Sequence, residues 1–363
     1  MKTITFFICS LGSGGSEHQL CTLASLLKSR GYNVNIVTFA DVADHYKVDE
    51  GIKRIRLGEN KGNTGKFMNI FKFFLSLKAD VVISFGQREN VYTLLPLLFR
   101  KGIKVIAGER NCTIGEPSKN EKLLVKYLYK RANYIVPNSY SQLRHLNKCN
   151  EELRPKLKAI TNYTDLNLYK AYHYPEHKTI KIGVFARYTT QKNYFRFLDA
   201  IKIVKDKVTI PFIIECYGNQ TFKDKSVNPY YARLKEKVEE YGLNDVFKLN
   251  DHVKNVAELL PIYDAIALPS IHEGFSNSIS EAICCSRPML VSNVSDNSVM
   301  VHDGENGFLF DPRNIDDMAI AFIKFLFLGY DERKEMSKNS RLIAESLFNK
   351  DDFVNKYIEL IEN

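Results

Sequence analysis

Apolar and polar positions along the chain follow two alternating periods. "TITFFIC" (3–9) is an almost unbroken apolar run, the signature of a strand buried on both faces. "SGGSEHQLCTLASLLKSRG" then turns to a helical period, with Leu20, Leu23 and Leu27 on one face and Gly31 placed to cap its end. "NVNIVTF" predicts the next strand. The same change of period recurs at "DVVISF" (80–85) with a helix near 89–100, "IKVIAG" (103–108) with a helix near 119–131, and "NYIVPN" (133–138) with a helix near 140–148. "KLKAITN" (156–162) predicts a short closing strand.

A tyrosine-bearing polar stretch, 163–178, has no clear period and reads as a linker. The alternation then restarts with "IKIGVFA", "PFIIECYG", "DVFKLN", "DAIALPS" and "RPMLVSN" as strands. Helical patterns lie between them, and a last helical region runs from about 314 to 361. Strands alternating with helices imply parallel sheets covered on both faces. The expected architecture is α/β: two Rossmann-like doubly wound domains facing each other across a cleft. Residues 1–170 form the first and 171–363 the second, with the last helices as candidates to cross back. Ligands of such sheets bind beyond the carboxyl ends of the strands.

Composition narrows the function. The 45% apolar and 26% charged content suits a soluble globule, and no run of about 18 apolar residues predicts a spanning helix. Seven cysteines lie mostly in apolar runs without metal-ligand spacing, as reduced thiols of a cytoplasmic protein would. Charge is lopsided. Residues 1–170 hold 27 Lys and Arg against 14 Asp and Glu, while the remainder holds 24 against 28. The basic half is expected to meet an anionic surface.

Three loops carry candidate chemistry. In "LGSGGSEHQL" (11–20), Gly14 and Gly15 open a helix, where free N–H groups suit an anion. The G-x-G-G spacing does not match a dinucleotide fingerprint. In "VFARYTTQKNYFRFL" (184–198), Arg187 leaves a strand and Lys192 precedes a helix, a pairing able to clamp a diphosphate or merely to be solvated. In "HEGFSNSISEA" (272–282), Glu273 lies in a turn and Glu281 about a turn into a helix, with the peptide groups of Phe275, Ser276 and Asn277 between them.

"HEGFSNSISEA" resembles the E-x7-E signature of retaining GT-B glycosyltransferases of family 4. "GSGGSEHQLCTLASLLKSRGYNVNIVTF", "ANYIVPNSYSQ", "AITNYTDLNLY", "VFARYTTQKNYFRFLDA" and "VMVHDGENGFLFDP" resemble further segments of that family, in its order. The resemblance implies a GT-B fold and retaining, metal-independent transfer from a nucleotide sugar, most often a UDP-sugar, with no cofactor. It implies that Arg187 and Lys192 hold the donor diphosphate, Glu273 the transferred sugar and Glu281 the ribose. Phe275, Ser276 and Asn277 would support sugar and phosphate, with Gly14 and Gly15 under the phosphates. Departures are Asn193 where glycine is usual, Tyr163 after Asn162 where the family has Asn-Gly, and Glu109, Arg110 and Asn111 where many members place a sugar-proximal histidine.

The implied acceptor is a glycan or polyprenyl-linked glycan of a bacterial surface polysaccharide. Two other readings share some of these features: a nucleotide-sugar 2-epimerase of the same architecture, and a nucleic-acid binder using the basic half. No nucleic-acid motif supports the second, and no nucleic-acid partner is expected. "KFMNIFKFFLSLK" (66–78) and "KLLVKYLYKR" (122–131) mix lysines with aromatic and aliphatic residues. They predict either ordinary amphipathic helices or peripheral docking on an anionic inner membrane face.

Overall fold

The computed structural model describes the chain except residues 13, 41, 59–61, 111–118 and 223–224. The chain divides into two compact units, Met1–Tyr163 with Lys350–Asn363, and Thr164–Asn349.

The first unit is built on six parallel strands: β1 (Thr3–Ile8), β2 (Asn33–Thr38), β3 (Lys53–Arg56), β4 (Val81–Phe85), β5 (Lys104–Glu109) and β6 (Tyr134–Pro137). Their order is β3-β2-β1-β4-β5-β6. The second unit holds β7 (Ile180–Phe185), β8 (Phe212–Tyr217), β9 (Phe247–Asn250), β10 (Ala265–Leu268), β11 (Met289–Ser292) and β12 (Gly307–Phe310), ordered β12-β11-β10-β7-β8-β9. Read from its third strand, β9, this is the same order as in the first sheet. Each unit is therefore a doubly wound sheet whose strand order reverses beside its first strand, at β1/β4 and at β7/β10. Central strands are solidly buried, as their apolar runs require: β4 and β10 have no exposed position. Gly31 takes φ +90° just after helix Gly15–Ser29, the left-handed step that ends a helix without a Cβ penalty.

The last helix, Lys350–Glu362, belongs to the first unit. Lys2 Nζ lies 2.7 Å from Glu362, Lys104 Nζ donates to the Ile361 carbonyl at 2.8 Å, and the Phe353 ring stacks on Tyr163.

Three elements differ from the sequence reading. "KLKAITN" is not a strand. It makes one bridge, Leu157 to Ile135, and follows β6 only until Ile160 N–H reaches the Pro137 carbonyl. β6 has just four residues to pair with and ends in a proline, which lacks a donor. β3, "KRIR", is an additional edge strand whose only apolar side chain is Ile55. The helix expected near 119–131 is three turns of different pitch: an α-helix Lys119–Leu123, a π-helix Leu124–Leu128 and a 3-10 turn Tyr129–Arg131.

Candidate functional site

In the second unit three loops meet at the carboxyl end of the sheet. Arg187 follows β7 by two residues and is exposed. The chain then makes a 3-10 turn, Thr190–Lys192, before helix Tyr194–Lys207 begins. Asn193 joins the two in the left-handed conformation, φ 60° and ψ 29°. Glycine would do this freely, and asparagine is among the few other residues that reach it at low cost. Its buried side chain donates to the Pro312 carbonyl at 2.8 Å, which pins the turn. The missing glycine therefore leaves the backbone step intact.

The 3-10 turn is stitched to the loop after β10. Ile271 N–H donates to the Gln191 carbonyl at 2.9 Å, and Gln191 Nε2 donates to the His272 carbonyl at 2.9 Å. These bonds bring Lys192 Nζ to 2.5 Å from Glu273 Oε1. Glu273 is only 8% exposed, so the pair is shielded from water and screening is weak. A cation and a carboxylate on two neighbouring loops are thus held against each other, each available to a ligand that can displace its partner.

Helix Asn277–Cys284 follows. Ser276 is its N-cap, but its hydroxyl bonds none of the first-turn N–H groups. Ser278 Oγ donates to the Phe185 carbonyl at 3.0 Å, fixing the helix start against the end of β7. The Phe275 ring is buried edge-on to Phe348, so only its peptide group can face a ligand. Glu281 sits one turn in. Burial pushes its carboxyl up to about 7, opposed by a hydrogen bond from Tyr169. Tyr169 is itself held by Arg341, whose Nη1 donates to its carbonyl at 3.1 Å. Sequence reading missed Tyr169 and Gln191. Tyr169 lies in the linker segment that carried the family resemblance; Gln191 has no signal beyond its neighbour Lys192.

The remaining candidates lie in the first unit. Gly14 is the N-cap of the first helix and Gly15 its first residue. A Cβ on Gly14 would fall 2.2 Å from Glu17 Oε2, so the carboxyl of Glu17 folds over this helix start. Burial raises that carboxyl, its own backbone bond lowers it, and the nearby Glu89 raises it further. An anion at Gly14 has to displace a group that already occupies this place.

Glu109 ends β5 and is fully buried. Asn90 Nδ2 donates to its Oε1 at 3.2 Å, while Oε2 has no hydrogen-bond partner among the described residues. Burial raises this carboxyl to about 8, against lowering bonds from Gln87 and Asn90. The Arg110 guanidinium lies 3.8 Å from the Phe85 ring centroid and donates to the Tyr357 hydroxyl at 2.9 Å. Neither residue stands at the surface as a simple sugar contact. Asn111 lies outside the described residues. Among those residues no cluster of His, Cys, Asp or Glu has the makings of a metal site.

The family model "Glycosyl transferases group 1" matches residues 170–343, the span holding Arg187, Lys192, Glu273 and Glu281. The chain is 25% identical, over 88% of each sequence, to the Campylobacter jejuni N-acetylgalactosamine-N,N'-diacetylbacillosaminyl-diphospho-undecaprenol 4-alpha-N-acetylgalactosaminyltransferase. It is 24% identical, over 74% of each, to the amylovoran biosynthesis glycosyltransferase AmsD of Erwinia amylovora. Its fold matches that of Anabaena Alr3699/HepE, solved in complex with UDP and glucose, with a TM-score of 0.84 over the full length of both chains at 19% identity. The chain therefore has the GT-B fold, and its residues 170–343 match the group 1 glycosyltransferase domain.

Proposed function

We propose that the protein transfers a sugar from a nucleotide diphosphate donor, UDP-linked, to a glycan or lipid-linked glycan of a bacterial surface polysaccharide, with retention of configuration. The observation that carries this reading is the buried Lys192–Glu273 pair beside the start of helix Asn277–Cys284, whose N-cap Ser276 makes no capping bond with its side chain. A donor diphosphate arriving there competes with Glu273 for Lys192. As it takes the cation, the Glu273 carboxylate is released to accept a hydroxyl of the sugar. Arg187 adds a second charge at the exposed edge. Glu281, beside Tyr169, is suited to accept the ribose hydroxyls.

In the transfer step the glycosidic C–O bond breaks and negative charge grows on the leaving diphosphate. Lys192, Arg187 and the helix-end N–H groups stabilise that charge more than they stabilise the ground state. The acceptor hydroxyl attacks from the same face, and the diphosphate oxygen takes its proton. Charge is supplied by side chains, so no metal or cofactor is invoked.

Arg187→Ala and Lys192→Ala are each expected to weaken UDP binding by roughly 10- to 150-fold, the loss of about 1.5–3 kcal/mol per charge-assisted contact. Uridine binding should be nearly unchanged. Titration of both ligands into both variants checks this; equal losses for UDP and uridine would place the cations elsewhere.

The basic first unit also suits docking on an anionic membrane, though through other residues than the segment 66–78 suggests. Phe74 is fully buried and Phe67, Phe71 and Phe73 are half-buried in the helix Asn63–Ser76. The exposed apolar side chains there are Met68 and Leu75, beside Leu98 and Phe99, the last 75% exposed. Lys72, Lys78 and Lys101 are exposed on the same elements. No helix among the described residues is long and apolar enough to cross a membrane. The protein should co-sediment with anionic vesicles, less so as salt rises. Changing Lys72, Lys78 and Lys101 together to glutamate should abolish it. Equal recovery with neutral vesicles would sink this reading.

A further inference from the structure

A cavity lined, among the described residues, by the first unit alone lies apart from the donor loops of the second unit and next to Glu109. It has a volume of about 610 Å³, inside the roughly 300–1,000 Å³ range of small-ligand sites. One wall is the helix Gln87–Leu97, through Val91 and Tyr92. The other is the π-helix Leu124–Leu128, closed by the bond from Tyr129 N–H to the Leu124 carbonyl. Isolated π turns are rare and recur at functional sites, since a wider turn weakens packing unless something uses it. Here the wide turn lets Leu123, Leu124, Tyr127 and Leu128 all line one trough. An α-helix would spread four such residues over a broader arc.

The chemistry of the lining decides the occupant. Among the described residues, the lining carries polar groups on Gln87, Arg88 and Glu121 and the hydroxyls of Tyr92 and Tyr127. The first three are already engaged, Gln87 with Glu109, Arg88 with Glu89 at 3.3 Å and Glu121 with His145 at 3.2 Å. A saccharide would bury several hydroxyls with few partners left for them. A hydrocarbon chain matches the remaining walls. At the mouth Leu123 and Tyr127 are each 57% exposed, an apolar lip open to solvent. Lys122 and Lys126 stand exposed one turn apart on the same segment, with Lys126 Nζ 5.1 Å from the Tyr127 ring centroid. An apolar trough with a cationic rim complements an amphiphile with an anionic head.

We propose that this trough holds the hydrocarbon chain of a prenyl phosphate, the lipid carrier of the acceptor, with its phosphate against Lys122 and Lys126. The assignment rests on the reading of the protein as a transferase with a lipid-linked acceptor, and gives that acceptor a place.

The test is calorimetric titration of the full chain, free of detergent, with farnesyl phosphate below its micellar concentration. Farnesol, inorganic phosphate and UDP serve as separate probes. Farnesyl phosphate is expected to bind, farnesol at least tenfold more weakly, and inorganic phosphate without measurable heat. Leu123→Asp with Tyr127→Asp, both at exposed positions that folding tolerates, should weaken farnesyl phosphate at least tenfold and leave UDP unchanged. Lys122→Glu with Lys126→Glu should weaken farnesyl phosphate but not farnesol. Three results overturn the trough: no farnesyl phosphate binding by protein that binds UDP, inorganic phosphate binding equally well, or the apolar double variant binding as the parent does. Binding of farnesyl phosphate without binding of UDP would instead overturn the donor reading and leave the trough standing.

Discussion

Glu273→Gln is expected to lower sugar transfer by on the order of 100-fold or more while UDP binds as tightly as before, or more tightly. The reasoning starts from the ion pair. Glu273 holds Lys192 at 2.5 Å in the absence of donor, and both side chains are largely shielded from water. Glutamine keeps the shape of the side chain and one acceptor oxygen, so the loop retains its contact to Lys192. It removes the charge that competes with a diphosphate for that lysine. The UDP moiety should then meet a freer cation. The sugar loses its carboxylate acceptor, and hydrogen bonds to charged groups are worth about 1.5–3 kcal/mol. A loss in turnover together with unchanged or improved UDP affinity is a combination that general damage to the site does not produce. Steady-state kinetics with a sugar donor, paired with UDP titration, checks it. Near-normal turnover would remove Glu273 from the sugar site. A parallel fall in UDP affinity would mean that the pair supports the loop rather than exchanging with the ligand.

Most of the fold was legible because central parallel strands are buried on both faces and read as apolar runs. β1, β4, β5, β7 and β10 all carry that mark. β3 was not legible, since an edge strand spends its outward positions on Lys53, Arg54 and Arg56, and one isoleucine makes no pattern. The π-helix left no trace either. "LVKYL" reads as any amphipathic turn, and nothing in it announces the wider pitch of the segment packed against the helix Gln87–Leu97. At the site, the eight-residue spacing of Glu273 and Glu281 was visible, and so were the two cations. Their partnership was not. Lys192 and Glu273 are 81 residues apart, and only the bonds of Gln191 to the loop after β10 bring them together. Asn193 shows the reverse case. It breaks the family pattern on paper, yet a short polar side chain supports the same left-handed step.

Glu109→Gln should stabilise the protein at pH 8 by a few kcal/mol and change nothing near pH 4.5. Glu109 is fully buried, and burial lifts its carboxyl from 4.5 to about 8. The folded state therefore prefers the neutral acid. Below about pH 4.5 the carboxyl is protonated in folded and unfolded chains alike, and its preference costs nothing. Between 4.5 and 8 the unfolded chain ionises while the folded one resists, so stability falls as pH rises. Above about 8 both forms are ionised and the loss is complete. A gap of this width corresponds to about 4–5 kcal/mol, since each unit of pKa is worth about 1.4 kcal/mol. Glutamine is the neutral isostere. Its carbonyl oxygen can accept from Asn90 as Oε1 does, and its amide takes the place of Oε2, which has no partner among the described residues. The variant is thus free of the ionisation that the parent suffers on the alkaline side. Thermal unfolding of parent and variant from pH 4.5 to 8.5 reads this directly. A difference in Tm that opens with rising pH and levels near pH 8 is the expected result. A pH-independent difference would mean that Glu109 is charged in the fold, held by a partner that its buried surroundings do not display.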